Sequence, residues 1–295
     1  MPITIGIPFY NAEKYFADAI RSVFAQTYQE WDLILIDDGS TDRSLEIARA
    51  VNDPRVRVIS DGLNKRLPYR LNQIAREAKY DVVGRMDADD LISPTRFEME
   101  LEVLNRHPEV DLVTTGICSI TNDNRPIGTR CGSPGESITG RNLLFGTNGI
   151  VHAAIVARRA WFLRNPYDPS AIRMEDYELW LRAYSKNDFR IHVLGEPLYY
   201  YREEENVTAK RILTAYAGQR ELYKKYGPLW LRRYEVSLVV ATSYAKSLAV
   251  WIFSALNKMD ILLKRRNKEI EDKKSMDLFV GEIDRVLKTK VPGLD

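Results

Sequence analysis

Short apolar runs alternate with amphipathic stretches through the first hundred residues. Residues 3–7 form a run rich in isoleucine that stops at Pro8, and Tyr15, Phe16, Ala19, Ile20, Val23 and Phe24 then recur at helical spacing, with Asn11 as the predicted cap. Residues 33–36 read as a second buried strand ending in Asp37-Asp38-Gly39-Ser40. Ser40 or Thr41 then caps a helix carrying Leu45, Ile47 and Ala48. Residues 56–59 give a third strand, 71–78 a helix, and 82–83 a short fourth strand that runs into Asp87-Ala88-Asp89-Asp90. Ser93-Pro94 supplies the cap and first turn of a helix reaching about His107. This alternation predicts the α/β class: an open, mostly parallel sheet with helices on both faces. Ligands of such sheets bind outside the carboxyl ends of the strands, and both acidic clusters fall on that edge.

Farther along, the pattern is mixed. Apolar stretches at 112–115, 155–157, 191–194 and 198–201 predict strands, separated by a glycine-rich span (128–149) and a helix over 175–185. From about residue 206 the pattern is helical. Residues 236–256 approach the length of a membrane span, but Lys246 and several Ser and Thr interrupt them. Two predictions remain for this helix: packing on the catalytic domain or a partner subunit, or lying on anionic lipid with Trp230 and Trp251 as anchors.

Charge sharpens the second prediction. The net charge is only +2, yet residues 210–266 hold 12 Lys and Arg against 3 Asp and Glu, while 1–209 hold 25 against 31. A basic, apolar section following an acidic body predicts an anionic surface as partner through residues 230–266. No motif for nucleic acid accompanies it. The N-terminus shows no basic segment followed by an apolar one, so a cytoplasmic protein is expected, peripheral at most on the inner membrane face. Cys118 and Cys131 are too few for a disulfide framework and read as reduced thiols.

Asp87 and Asp89, spaced Asp-x-Asp on a turn, can face one divalent cation whose other ligands are phosphate oxygens, which suits Mn²⁺ or Mg²⁺. A solvated turn is the alternative. Asp37-Asp38 at a strand end can accept hydrogen bonds from a base or ribose, or can simply shape a turn. Glu175-Asp176 opens the predicted helix over 175–185, where a capping acid is the simpler reading of the pair alone.

The segments IGIPFYNAEKYFADAIRSVFAQTYQEWDLILIDDGSTDRS, RLNQIAREAKYDVVGRMDADDLISPTRFE and RMEDYELWLRAY, in this order and spacing, resemble inverting glycosyltransferase family 2 across about residues 2–205. The resemblance implies a GT-A catalytic domain over 1–205, with a nucleotide-binding half (about 1–110) and an acceptor half (about 111–205), followed by a helical region over 206–295. It implies that Pro8, Tyr10 and Asn11 form the first nucleotide-binding turn and that Asp38, with Asp37 beside it, contacts the base, usually uracil. Asp87, Ala88 and Asp89 match the metal and diphosphate motif, Asp89 as the more direct ligand, and Asp176 matches the general base. His152 and Glu175 fall on the acceptor side. Arg202 and Thr208 resemble a loop over the diphosphate, and Arg85, Lys65 and Arg66 are candidate cations near it. Asn64-Lys65-Arg66 stands where Asn-x-Gly is usual, which leaves the backbone path there open. No Gln-x-x-Arg-Trp follows Glu175-Asp176, so one sugar per binding event is expected.

The implied reaction moves a sugar, hexose-type, from a UDP-sugar to a saccharide or lipid-linked acceptor in surface polysaccharide synthesis, with a homodimer as a further expectation. Two alternatives make other demands on the sequence. A sugar-phosphate nucleotidyltransferase would need a Gly-rich basic loop after the first strand, which Pro8-Phe9-Tyr10-Asn11 is not. A non-catalytic sugar- or lipid-binding scaffold would not need Asp38, Asp87, Asp89 and Asp176 together.

Overall fold

The computed structural model describes residues 1–135, 137–203, 208–256, 270 and 272–295. The first half contains β1 (Ile3–Phe9), α1 (Phe16–Phe24), β2 (Trp31–Asp37), α2 (Ser44–Ala50), β3 (Val56–Ser60), α3 (Arg66–Glu77), β4 (Val82–Arg85), β5 (Leu91–Ile92) and α4 (Arg96–Arg106). Next come β6 (Leu112–Thr114), β7 (Ile117–Ile120), β8 (Pro126–Arg130), α5 (Gly140–Phe145), β9 (Val156–Arg158), α6 (Arg159–Arg164) and α7 (Glu175–Ser185). The last elements are β10 (Ile191–Val193), β11 (Tyr199–Arg202), α8 (Ala209–Tyr226), α9 (Arg233–Ala255) and α10 (Lys273–Lys288).

Seven strands form the main sheet in the order β10-β6-β9-β4-β1-β2-β3. Only β9 runs antiparallel to its neighbours. Every residue of β1 and β2 is buried, as expected of strands covered on both faces. The helices approach closely. A Cβ on Gly6 would sit 2.4 Å from the Ile74 side chain of α3, so only glycine lets that helix lie against β1. The parallel register from Ile3↔Trp31 to Phe9↔Asp37 brings the ends of β1 and β2 level, with Asp37 as the last β2 residue.

A second sheet, β5-β11-β7-β8, has α10 packed on it. Phe279, Ile283 and Val286 of α10 bury against Leu91, Cys118, Ile120 and Tyr200. Beyond α10 the chain returns to the first domain half. Val291 joins the main core, the Asn52 N–H donates to the Pro292 carbonyl, and Arg21 meets Asp295 at 2.6 Å.

Several local expectations change. Pro8 does not end the first strand but stays in register with Ile36. Asn11 does not cap α1. It sits at φ 49°, a left-handed conformation that Asn tolerates, and its Oδ1 accepts from the Thr41 N–H at 2.8 Å. Neither Ser40 nor Thr41 caps α2; Asp42 Oδ1 accepts from the Ser44 N–H at 3.0 Å instead. Helix α3 starts five residues before Leu71, because Pro68 falls in its first turn, where no intrahelical N–H is required. The glycine-rich span holds the end of β8 and all of α5, which Thr139 caps through a reciprocal bond pair with Asn142.

Helix α8 buries Leu222, Tyr223 and Tyr226 in the second core cluster, where Tyr226 Oη donates to buried Glu178 of α7. Helix α9 packs on α8 with Ser243 and Val250 inward. By length and composition it is the one helix among the described residues able to cross a membrane. Residues 257–266 of the predicted basic section lie outside the described residues.

Candidate active site

The main sheet delivers the acids to one edge. Asp87, Ala88 and Asp89 follow β4 after Met86, and Asp87 stands where three cavities meet. The first, about 630 Å³, is lined by the Pro8–Tyr15 turn, Ala88, Asp89 and Arg202. A second, about 610 Å³, is lined by Arg85, Asp87, His152, Glu175 and Asp176. A third, about 390 Å³, joins Asp87, Asp89 and Asp90 to Arg173, Arg202 and Arg211. Pro8, Tyr10, Asn11, Asp87, Ala88 and Asp89 therefore surround one connected space, and Asp87 links it to Asp176.

Asp37 and Asp38 are committed internally. Asp37 accepts from the Ser40 N–H and from Ser60 Oγ, both at 2.8 Å. Asp38 accepts from the Lys65 N–H at 2.7 Å, the Arg66 N–H at 3.0 Å and Arg70 Nε at 2.9 Å. Asp38 thus anchors the start of α3 and keeps few lone pairs for a ligand. Arg70, fully buried, also pairs with Asp61, whose carboxyl is pulled far below its ordinary range first by Arg70 and then by Lys65. Lys65 is held by Asp61 at 2.7 Å, so neither it nor Arg70 projects into the three cavities. Arg66 adopts φ 69°, the backbone conformation that the usual glycine would supply.

Asp176 is not the helix cap. Met174 holds that position without a side-chain bond, leaving the Asp176 carboxylate 39% exposed on the cavity wall. Desolvation raises its affinity for a proton, opposed by the Tyr177 N–H and by Arg85. His152 Nδ1 lies 4.0 Å from Asp176 Oδ2, and its Nε2 is 2.9 Å from Tyr167 Oη. Burial, then the nearby Arg85 charge, hold the imidazole well below its usual value, so it is neutral at pH 7. Glu175 is raised mainly by burial.

Arg202 is a strut. Its guanidinium donates to the Asp89, Thr121 and Asn124 oxygens at 2.8, 2.7 and 2.6 Å and stacks 3.9 Å over the Tyr15 ring. Thr208 caps α8, and residues 204–207 of the expected loop lie outside the described residues. Buried Asp90 is pushed well above the carboxylate range by desolvation first, then by Asp89 and Asp87.

Sequence reasoning missed Arg70, Tyr167, Arg173 and Arg211. Arg173 precedes the Glu175-Asp176 pair and Arg211 follows the loop expected to close, so nearness to motifs was their only signal. Arg70 opens the segment RLNQIAREAKYDVVGRMDADDLISPTRFE, its only signal, and Tyr167 carried none.

No group of three or more His, Cys, Asp or Glu among the described residues forms a ready cation cage. Asp87 and Asp89 nevertheless suit a hard cation that takes its other ligands from diphosphate and water.

A sheet of this topology, with acids clustered after β4, is the arrangement of the GT-A fold. The sequence profile described as "Glycosyl transferase family 2" matches residues 4–164, and the chain belongs to that family of glycosyltransferases. It is 32% identical over 218 residues to the putative glycosyltransferase EpsE of Bacillus subtilis, covering 72% of this chain and 77% of that one. Its fold resembles Staphylococcus aureus TarS 1–349 in complex with UDP-GlcNAc, with TM-score 0.62, 19% identity, and 97% and 81% of the two chains covered. It also resembles the mannosyltransferase PcManGT of Pyrobaculum calidifontis in complex with GDP-Man and Mn²⁺, with TM-score 0.58, 13% identity, and 97% and 84% covered.

Proposed function

We propose that the protein transfers one hexose-type sugar per binding event from a UDP-sugar, with inversion, to a saccharide or lipid-linked saccharide acceptor in surface polysaccharide synthesis. The observation that carries this reading is Asp87 lining both the cavity of the Pro8–Tyr15 turn and the cavity of Asp176. A nucleotide seated by Pro8, Tyr10 and Asn11 would place its diphosphate at Asp87, Ala88 and Asp89, with its sugar facing Asp176. Arg66 and Asp38 act on this site through the backbone at the start of α3.

In the proposed step an acceptor hydroxyl oxygen attacks the anomeric carbon from the face opposite the diphosphate. Its proton passes to Asp176, and the bond between that carbon and the diphosphate oxygen breaks with its electron pair leaving on the diphosphate. Mn²⁺ or Mg²⁺ held by Asp87 and Asp89 would supply charge stabilisation to the leaving group. Neutral His152 positions the acceptor beside Asp176, and Glu175 lines the same wall. The exposed face of α9 supports contact with an anionic membrane surface that carries the acceptor; a homodimer through it is the weaker option.

Thermal shift with UDP, GDP, TDP and CMP, each with and without Mn²⁺, on wild type and Asp89→Ala tests the donor side. One nucleotide should raise the melting temperature in a Mn²⁺-dependent way that the variant loses. No shift with any nucleotide would defeat the reading. On the acceptor side, Asp176→Asn should lower turnover by about 10²–10⁴-fold while leaving nucleotide binding intact. The base works only when deprotonated, so kcat/KM should fall as pH drops through a value above the usual Asp range.

A further inference from the structure

Arg85, the last residue of β4, is 3% exposed and lines the Asp176 cavity. Its main-chain N–H and carbonyl are satisfied by Ile155 and Arg96. Its side chain is not: Nη2 donates to Asp87, while Nε and Nη1 have no partner. Nε carries one N–H and Nη1 two, so most of the guanidinium's five donors are unmet in a buried position. Leaving the donors of a charged group unmet costs more than a hydrogen bond contributes. Asp176, Glu175, Tyr167 and His152 all lie within reach of the Arg85 charge, yet none bonds those nitrogens.

We propose that Arg85 is a specificity-determining residue whose unmet donors turn onto hydroxyl groups of the transferred sugar. This rests on the glycosyltransferase reading of the cavity. Arg85 faces the Asp176 cavity, and it lines neither the turn of Pro8–Tyr15 nor the space around Asp89 and Arg211. With Nη2 on Asp87, Nε and Nη1 stand on different edges of the planar guanidinium, so each donates to a separate hydroxyl of the sugar. Its third nitrogen, on Asp87, ties that grip to the acid beside the diphosphate. The sugar is thereby fixed between the diphosphate motif and Asp176, with its anomeric carbon toward the base.

The experiment compares wild type, Arg85→Met and Arg85→Lys in the whole chain by calorimetry. UDP-glucose, UDP-galactose, UDP-N-acetylglucosamine and GDP-mannose are each measured against bare UDP or GDP, and the melting temperature of each ligand-free protein is recorded. Wild type should bind one sugar nucleotide more tightly than its bare diphosphate. Arg85→Met should lose that increment by on the order of tenfold or more, with bare diphosphate affinity changed less than about threefold. Its ligand-free melting temperature should hold or rise, because the unmet donors are gone. Arg85→Lys should recover only part of the increment, since one ammonium cannot serve both Asp87 and the hydroxyls that Nε and Nη1 reach.

Three results would overturn the inference while leaving the transferase reading in place. They are a sugar increment that survives in Arg85→Met, an equal loss for the bare diphosphate, and a fall in ligand-free stability in both variants, which would mark a structural arginine. Failure of wild type to bind any nucleotide would instead remove the transferase reading, and the inference with it.

Discussion

Arg66 opens α3 at φ 69°, with its N–H and that of Lys65 donated to Asp38. A non-glycine side chain in that conformation carries roughly 1 kcal/mol of strain, partly offset because glycine gives the unfolded chain more freedom. Arg66→Gly should therefore stabilise the fold by up to about 1 kcal/mol, read as a higher denaturant midpoint with an unchanged slope. A lower midpoint would mean that the arginine side chain makes a compensating contact. Glu100 offers a second test. It and Arg96 are fully buried as a pair, and burial raises the Glu100 carboxyl to about 8, against the opposing pull of Arg96. A raised carboxyl keeps its proton in the folded state after the unfolded chain has released it. Stability should thus decline as pH climbs from about 4.5 toward 8 and level off above. Glu100→Gln should flatten that decline by a few kcal/mol at most. A pH series of melting temperatures that remains equally steep in the variant would refute the assignment. None of this was legible in the sequence, because neither a backbone angle nor the burial of a helical glutamate leaves a mark on composition.

Elements divide by how much of them is covered. Strands β1, β2 and β4 were readable because burial on both faces makes them continuous apolar runs, and the acids that follow β2 and β4 inherited their position. Strand β5 went unread because it is two residues long, and β8 because Pro126 and Gly128 are poor strand formers; β7 has no such mark. Helix α10 was visible only as part of a helical tail. What the sequence did not disclose is that Phe279, Ile283 and Val286 close the second sheet and that Val291 enters the main core. Two truncations at this end should therefore differ in effect. Val291 is 1% exposed, so Val291→Ala should cost about 1–3 kcal/mol. The Arg21–Asp295 pair is partly exposed, so Asp295→Ala should cost under about 1 kcal/mol. Equal losses in chemical denaturation would mean that the tail is held by its terminal charge rather than by its apolar anchor.

For the whole molecule, the charge imbalance along the chain was legible at once, but which face meets a partner depends on packing that only the structure contains. Ser243 and Val250 turn α9 toward α8, and the opposite side exposes Tyr234, Leu238, Leu248, Ile252 and Leu256 in line, with Tyr244 and Trp251 on its flank. An 18-residue window here has mean hydropathy 1.5 and is only 11% buried. Lys246 is exposed as well, and centring it in a bilayer would cost about 2.5–3.5 kcal/mol, whereas a helix lying at the interface leaves it in water. Arg232 and Arg233 open the helix, and basic residues near an anionic surface contribute about 1 kcal/mol each. The protein should therefore sediment with vesicles containing anionic phospholipid, less at high salt, and hardly at all with neutral vesicles. Leu248→Glu with Ile252→Glu should abolish that binding while leaving UDP affinity and melting temperature unchanged, since both side chains are exposed. Binding that survives the double variant would shift the contact to basic residues elsewhere. A concentration-dependent change in mass lost in the same variant would make the face an interface between two copies, with the acceptor reaching Asp176 from solution instead of from a membrane.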